Sequence, residues 1–433
     1  CDDRVAGLIA GQDLEMPGSG GVNDAEIVQA VRDGRLKESV LDTAVERILR
    51  VSRRFLENRD THAVFDRDRD HALARDIARQ SMVLLKNEKK LLPLDSQQKV
   101  AFLGAFAKTP RYQGSGSSHI NAHRVVGALE AAGQQGLSIS YAPGYRLDSD
   151  APDEALITEA AEAAKGADVA VVFAGLPESY ESEGYDRVHM RMPESHNALI
   201  EAVAAVQPHC VVVLQNGSPV EMPWIDKTEA VLESYLGGEA VGEAQVDLLY
   251  GSANPCGKLA ETFPLRLQDS PSYLNFPGEG DRVEYREGVF VGYRWYDSVD
   301  REVLFPFGHG LSYTSFEYSD LHVDRKEISG DEPVTVTLKV KNTGKRSGRE
   351  TVQIYVQRPD GKGPVRPDKE LRGFAKVFLA PGEEKEISAS LTKRAFACYS
   401  TEASDWVVPA GEYGILAGAS SRDIRLAGKV VRT

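Results

Sequence analysis

"ESEGYDR", residues 181–187, gathers Glu181, Glu183 and Asp186 with Tyr185 and Arg187 around one glycine. It follows "DVAVVFAG", residues 168–175, an apolar run without polar alternation that reads as a strand buried on both faces. In an open parallel sheet, ligands bind where the chain leaves the carboxyl ends of the strands. A carboxylic acid held there near other acids would have a raised pKa and could serve as a general acid near neutral pH. Arg187 could instead lower neighbouring pKa values, or fix the loop by pairing with Asp186. Acidic surface loops with incidental ion pairs are common and perturbed carboxylates rare, so composition alone favours the solvated loop and leaves the catalytic one open.

Other stretches offer less chemistry. "GSGSSH", residues 114–119, is Gly-rich but lacks the lysine of a phosphate loop and the spacing of a dinucleotide fold, so it reads as a mobile loop after a strand. The nine histidines fall in no H-E-x-x-H or comparable ligand pattern, and no G-x-S-x-G elbow occurs; neither a metal nor another cofactor is expected. The aromatic residues of "YREGVFVGYRWYD", residues 285–297, could stack on a sugar ring, but packing is the better reading for them. Cys1, Cys210, Cys256 and Cys398 are scattered without a C-x-x-C pair and read as reduced packing residues. A formal net charge of -14 with no basic run argues against nucleic acid or an anionic membrane as partner. No apolar run approaches the roughly 18 residues that would span a bilayer. The N-terminus lacks the charged and apolar regions of a signal peptide, yet "CDDRVAG" also lacks a starting methionine and reads as the middle of a domain, so the compartment stays open.

Several elements must position these residues. "NDAEIVQAVRDG" (23–34) reads as a helix capped by Asn23 or Asp24, and "KESVLDTAVERILRVSRRFLE" (37–57) as a second with Leu41, Val45, Ile48 and Phe55 on one face. The charged, aperiodic residues 57–70 suit a linker. Then helix and strand alternate: helix over 72–87, strand 99–106, helix 125–132, strand 137–144, helix 153–167, strand 168–175, helix 197–207, strand 210–217, and further elements at 230–238 and 243–251. Apolar runs separated by helices predict a parallel sheet covered on both faces, an α/β sandwich. Beyond "NPCGKLAETFP" (254–264), a stretch rich in Tyr, Pro, Gly and Phe reads as a long structured connector. Strand signals from 334 to 420, with turns at "NTGKRSG" and "APGEE", predict an antiparallel β-sandwich of fibronectin type III or immunoglobulin kind.

Taken together, "AGLIAGQDLEMPG" (6–18), "SMVLLKNEKKLLPL" (81–94), "ESEGYDR", "NPCGKLAETFP", "VGYRWYD" (291–297) with "LFPFGHGLSYTSFEYS" (304–319), and "VKNTGKRSGRETVQIYV" (340–356) followed by "ELRGFAKVFLAPGE" (370–383) resemble glycoside hydrolase family 3, the β-glucosidase group. The motifs occur in the family's order over essentially the whole chain. The resemblance implies a (β/α)8 barrel, an (α/β)6 sandwich and a fibronectin type III-like domain, and retaining hydrolysis of β-D-glucosides. It implies domains at 1–58 (the end of the barrel), 74–264 (the sandwich) and 320–433 (the fibronectin-like part), with 59–73 a linker and 265–319 an aromatic connector.

The family's E-G-x-D-R motif puts the acid/base on Glu183, with Glu181 as the fallback. Its nucleophile, an aspartate in S-D-W shortly before A-G-x-D-L-E-M-P, is expected upstream of residue 1; Asp2 and Asp3 are not in that motif, and Asp13 and Glu15 read as structural partners. Gln12, where many members carry Leu, and Ala122, where proline usually follows the Gly-rich loop, depart from the pattern without touching the chemistry. Expected partners are a β-glucoside or oligosaccharide and the N-terminal barrel segment, with homo-oligomerisation open. Alternatives are a non-catalytic carbohydrate-binding or assembly chain, or a β-xyloside hydrolase. The two loops "GSGSSH" and "ESEGYDR" should meet at one sheet edge, and Phe305, Phe307, Tyr313 and Phe316 should anchor the connector between domains.

Overall fold

The computed structural model describes residues 3–359 and 365–433, so Cys1 and Asp2 lie outside the described residues. The chain forms two units, 1–66 and 67–433. The first holds helices α1 (Arg4–Ile9), α2 (Val22–Arg32) and α3 (Glu38–Asn58). Asp3 caps α1 by accepting from Ala6 N at 2.8 Å. Neither Asn23 nor Asp24 caps α2; the helix starts behind Gly21, and Asn23 donates to Glu15 Oε1 at 2.9 Å instead. Val5, Ala30 and Leu36 form its small core. Asp13 pairs with Arg47 at 3.0 Å and Glu15 with Arg4 at 2.9 Å, in keeping with structural roles.

The second unit begins with α4 (Arg67–Ser81), β1 (Val83–Asn87), β2 (Val100–Leu103), α5 (Ala128–Gln134), β3 (Ile139–Ala142), α6 (Glu154–Lys165), β4 (Val169–Gly175), α7 (Glu194–Val206), β5 (Cys210–Gln215), β6 (Ala230–Glu233) and α8 (Val241–Leu249). They build one six-stranded sheet in the order β1-β6-β5-β4-β2-β3, parallel except for β1. Helix α4 starts at Arg67, inside the charged run assigned to the linker, and ends at Ser81. The expected helix through Asn87 is thereby corrected: Val83–Asn87 pairs antiparallel with β6 along the sheet edge. Its apolar run carries no period of its own, so the open edge of β6 decides its state.

Every residue of β4 and β5 is buried, which is why both strands lack polar alternation. Each fully buried Val, Leu or Phe there contributes about 1.5–3 kcal/mol. The chain winds outward from β2 to β3 on one side and from β4 to β5 and β6 on the other, so strand order reverses between β2 and β4. The carboxyl ends of these two strands are the switch point where a parallel sheet opens a crevice.

The connector carries one short α-helix, α9 (Tyr293–Ser298), after a 3-10 turn at Leu267–Asp269. Tyr293 is buried and stacks on Phe307 with ring centroids 4.5 Å apart, whereas Tyr285 at the head of the aromatic run is exposed. Phe305 and Tyr313 pack on the sandwich core and Phe316 on the following β core, each half-buried. Tyr313 Oη also donates to Leu248 O at 2.8 Å.

Next come β7 (Phe316–Val323), β8 (Glu327–Ile328), β9 (Val334–Asn342), β10 (Gly348–Gln357), β11 (Lys369–Leu379), β12 (Glu384–Leu391), α10 (Lys393–Phe396), β13 (Cys398–Ser400), β14 (Asp405–Val407), β15 (Gly411–Gly418) and β16 (Ile424–Arg432). Sheets β11-β10-β15-β16-β8 and β12-β9-β7 face each other over one core. Val334, Val336, Leu338 and Val340 alternate inward along β9, the period-two pattern of a sandwich strand.

Candidate active site

Two loops meet at the switch point. The chain leaving β2 carries a short turn at Gly116–Ser118, and the chain leaving β4 carries the acidic stretch. Strand β4 ends at Gly175, whose φ of +145° and closeness to β5 leave no room for a side chain: a Cβ would stand 2.2 Å from Gln215 O. Immediately after this turn the carbonyls of Leu176 and Pro177 accept from Arg111, a buried residue five positions before the Gly-rich loop's Gly116, at 2.7 and 3.3 Å.

Glu181 and Glu183 face different surroundings. Glu181 Oε2 accepts from Arg111 Nη1 and from Gly217 N, both at 2.8 Å, and its Oε1 accepts from the Ser218 hydroxyl. It ties the chain segments following β2, β4 and β5 together and is spoken for as a structural carboxylate. Glu183 is exposed, and its Oε2 accepts from Ser117 N at 2.7 Å. The expected raised pKa is corrected for this residue: the Ser117 hydroxyl and N–H favour the charged form and hold the carboxyl below its usual range. The Gly-rich loop is therefore a cradle for Glu183, pressed so close that a Cβ on Gly116 would lie 2.5 Å from Glu183 Cβ. The expected meeting of the two loops is borne out by this contact.

Arg187 does not pair with Asp186. Its Nη2 donates to Ser218 Oγ at 2.7 Å and to Pro219 O at 3.0 Å, which links it through Ser218 to Glu181. Two acids behind the loop escaped the sequence reading. Glu233, fully buried at the end of β6, accepts from Asn216 Nδ2 and Tyr235 N at 2.9 Å each, and burial pushes its carboxyl well up. Burial, reinforced by Glu181, pushes Glu261 up to about 7. A glutamate inside the apolar run "AVLESYLGG" was the available signal for Glu233; Arg111 had none beyond its place before the glycines.

Fold and site together define an α/β sandwich bearing a general acid/base candidate at its switch point and continuing into a fibronectin-type sandwich. Residues 82–313 match the Glycosyl hydrolase family 3 C-terminal domain and residues 350–421 the Fibronectin type III-like domain. The chain belongs to glycosyl hydrolase family 3. It is 59% identical over 429 residues to Thermostable beta-glucosidase B of Acetivibrio thermocellus, covering 98% of this chain and 57% of that protein. It is 44% identical over 435 residues to an Exo-alpha-(1->6)-L-arabinopyranosidase of Bifidobacterium longum, covering 98% of this chain and 56% of that protein. The crystal structure of Bifidobacterium adolescentis GH3 beta-glucosidase superposes with a TM-score of 0.92 at 44% identity, over 100% of this chain and 63% of that one. The chain thus spans little more than half the length of these curated relatives.

Proposed function

We propose that this chain is the acid/base-bearing part of a retaining O-glycoside hydrolase that releases terminal β-D-glucose from β-glucosides. Glu183 is the general acid/base. In this reading residues 1–58 are the closing part of a (β/α)8 barrel, 59–66 a linker in place of the expected 59–73 because α4 already starts at Arg67, 67–264 the sandwich that presents the acid, 265–319 the connector and 320–433 the fibronectin-like domain. The nucleophilic aspartate lies upstream of residue 1, in the length by which the relatives exceed this chain, and the isolated chain is inactive on glycosides.

The observation that carries the reading is the division of labour in the loop. Glu181 is engaged by Arg111, Gly217 and Ser218, while Glu183 stands exposed at the switch point with Oε2 held by Ser117. In the first step Glu183 gives its proton to the glycosidic oxygen as the nucleophile takes the anomeric carbon; in the second, as a carboxylate, it removes a proton from water. The cradle suits the second step. For the first, a nucleophile carboxylate about 5–5.5 Å away and a substrate that excludes water raise the pKa of Glu183 against the pull of Ser117.

The test uses the protein including its upstream segment. Glu183→Ala should slow substrates with poor leaving groups most and aryl glucosides least, and azide should restore turnover of the latter with release of a β-glycosyl azide. Glu181→Ala should show neither pattern. Equal slowing of all substrates without rescue would take the role away from Glu183, and a protein without glycosidase activity would return the chain to a binding or assembly role. A second reading changes only the sugar: two relatives at 44% identity carry an arabinopyranosidase name, so the substrate panel includes α-L-arabinopyranosides beside β-glucosides and β-xylosides.

A further inference from the structure

Beneath the two loops of the switch point two buried rings touch. Tyr145, on the chain leaving β3, and His196, in the first turn of α7, are 1% and 3% exposed, with ring centroids 3.9 Å apart. Phe106 packs edge-on against both, at 5.8 and 5.3 Å. The polar atoms of the pair serve the backbone where β2 and β4 part. The ladder between these strands ends at Leu103 with Val172, and buried N–H and C=O groups beyond it need other partners. Tyr145 Oη accepts from Phe106 N at 3.1 Å and donates to Phe173 O at 2.9 Å, so one hydroxyl bridges the origins of the two loops. His196 Nδ1 accepts from Gly175 N at 3.2 Å. That bond ties the last residue of β4 to α7, the two ends of the loop that carries Glu183. Burial holds the imidazole down at about 3, so the ring stays neutral and Nδ1 stays free to accept.

We propose that Tyr145 and His196 are positioning residues for the acid/base: they carry the connection between β2 and β4 past the end of its ladder and so fix the Glu183 loop against its Ser117 cradle. This role rests on the reading of Glu183 as the acid/base. Both residues act through the backbone. Phe106 leads along the chain to Arg111 and the Gly116–Ser118 turn, and Gly175 leads to Glu181 and Glu183. The contact to be held is narrow, since Ser117 N lies 2.7 Å from Glu183 Oε2 and Gly116 leaves no space there for a Cβ. A shift at either loop origin is therefore passed to the carboxyl, and a misplacement of about 1 Å costs up to about a hundredfold in rate. Apolar rings would fill the same space but leave Phe106 N, Phe173 O and Gly175 N without these partners, at the cost of orphaned buried polar groups.

The first measurement is an NMR titration of the Glu183 carboxyl in the whole chain, with thermal midpoints recorded for every variant. Tyr145→Phe, which removes one oxygen and keeps the ring, should let the carboxyl pKa rise toward its ordinary value and speed amide exchange at Ser117. His196→Leu should do the same, and His196→Asn, whose Oδ1 offers an acceptor in place of Nδ1, should restore both. In the protein with its upstream segment, Tyr145→Phe and His196→Leu should lower kcat about tenfold for poor leaving groups and less than about twofold for aryl glucosides, with KM unchanged. Tyr413→Phe is the control: its hydroxyl donates to Pro409 O at 2.8 Å in the β-sandwich, so its loss should lower the thermal midpoint without altering the leaving-group dependence. An unchanged Glu183 titration in both Tyr145→Phe and His196→Leu overturns the proposal, as does equal slowing of all substrates in step with the thermal midpoint, and either result leaves Glu183 as the acid. A Glu183→Ala variant without leaving-group dependence removes the acid/base reading instead, while the titration still decides whether the pair places the carboxyl.

Discussion

Replacing Arg111 by Met should be the most damaging single change near the site, and its size can be worked from the contacts. The guanidinium reaches Leu176 O at 2.7 Å, Pro177 O at 3.3 Å, Glu181 O at 3.2 Å and Glu181 Oε2 at 2.8 Å, and the arginine is 5% exposed. Breaking a buried ion pair by removing one partner costs about 3–5 kcal/mol. Here Glu181 keeps Gly217 N and the Ser218 hydroxyl, and its side chain is 15% exposed, so the carboxylate is not stranded. The lower end of that range applies to the pair. Orphaned carbonyls at Leu176 and Pro177 cost about 1–3 kcal/mol, partly recovered by water entering beside the Met. A total of about 3–4 kcal/mol follows, read as a lower urea midpoint of the unit that contains Trp224. Arg111→Met with Glu181→Met should cost less than the sum of the singles, because the second change removes the carboxylate left by the first. Amide exchange at Gly217 should accelerate in either single variant. A loss below about 1 kcal/mol for Arg111→Met, or strict additivity in the cycle, would refute the bracing role.

Three further outcomes are expected. Gly116→Ala puts a Cβ against Glu183 and a side chain at φ +75°, costing about 1–2 kcal/mol of backbone strain; in the full-length protein kcat should fall further than this small stability loss explains. Ser117→Ala removes the hydroxyl that favours the charged form, so the Glu183 carboxyl pKa should rise toward its ordinary value in an NMR titration. Glu261 holds its proton more tightly folded than unfolded, so between its ordinary 4.5 and about 7 the folded chain binds more protons and stability falls as pH rises. Glu261→Gln should flatten the thermal midpoint across that window, and an unchanged slope would remove Glu261 as its source.

How far the site was legible depended on whether the signal was local. The strand before "ESEGYDR", its exit at a carboxyl edge and the convergence with "GSGSSH" follow from apolar runs alternating with helices, a pattern each segment carries by itself. The choice between Glu181 and Glu183 could not be read that way. Two residues apart in one loop, they differ in what Arg111, Gly217 and Ser218 bring to Glu181 and Ser117 to Glu183, from 36 to 70 positions away.

The sequence by itself determined the α/β layering, the β-sandwich that follows and the place of the acids on the sheet rim, because hydrophobic periodicity and turn residues act over a few neighbours. Tertiary structure alone decided that Val83–Asn87 is an edge strand, since an apolar run takes whichever partner the open edge of β6 offers. It also decided the protonation bias of each acid. Glu183 is held low by Ser117, while Glu233 and Glu261 are pushed up by burial. A carboxyl's pKa is set by the solvent it loses and the donors it gains, and only the folded chain assigns those.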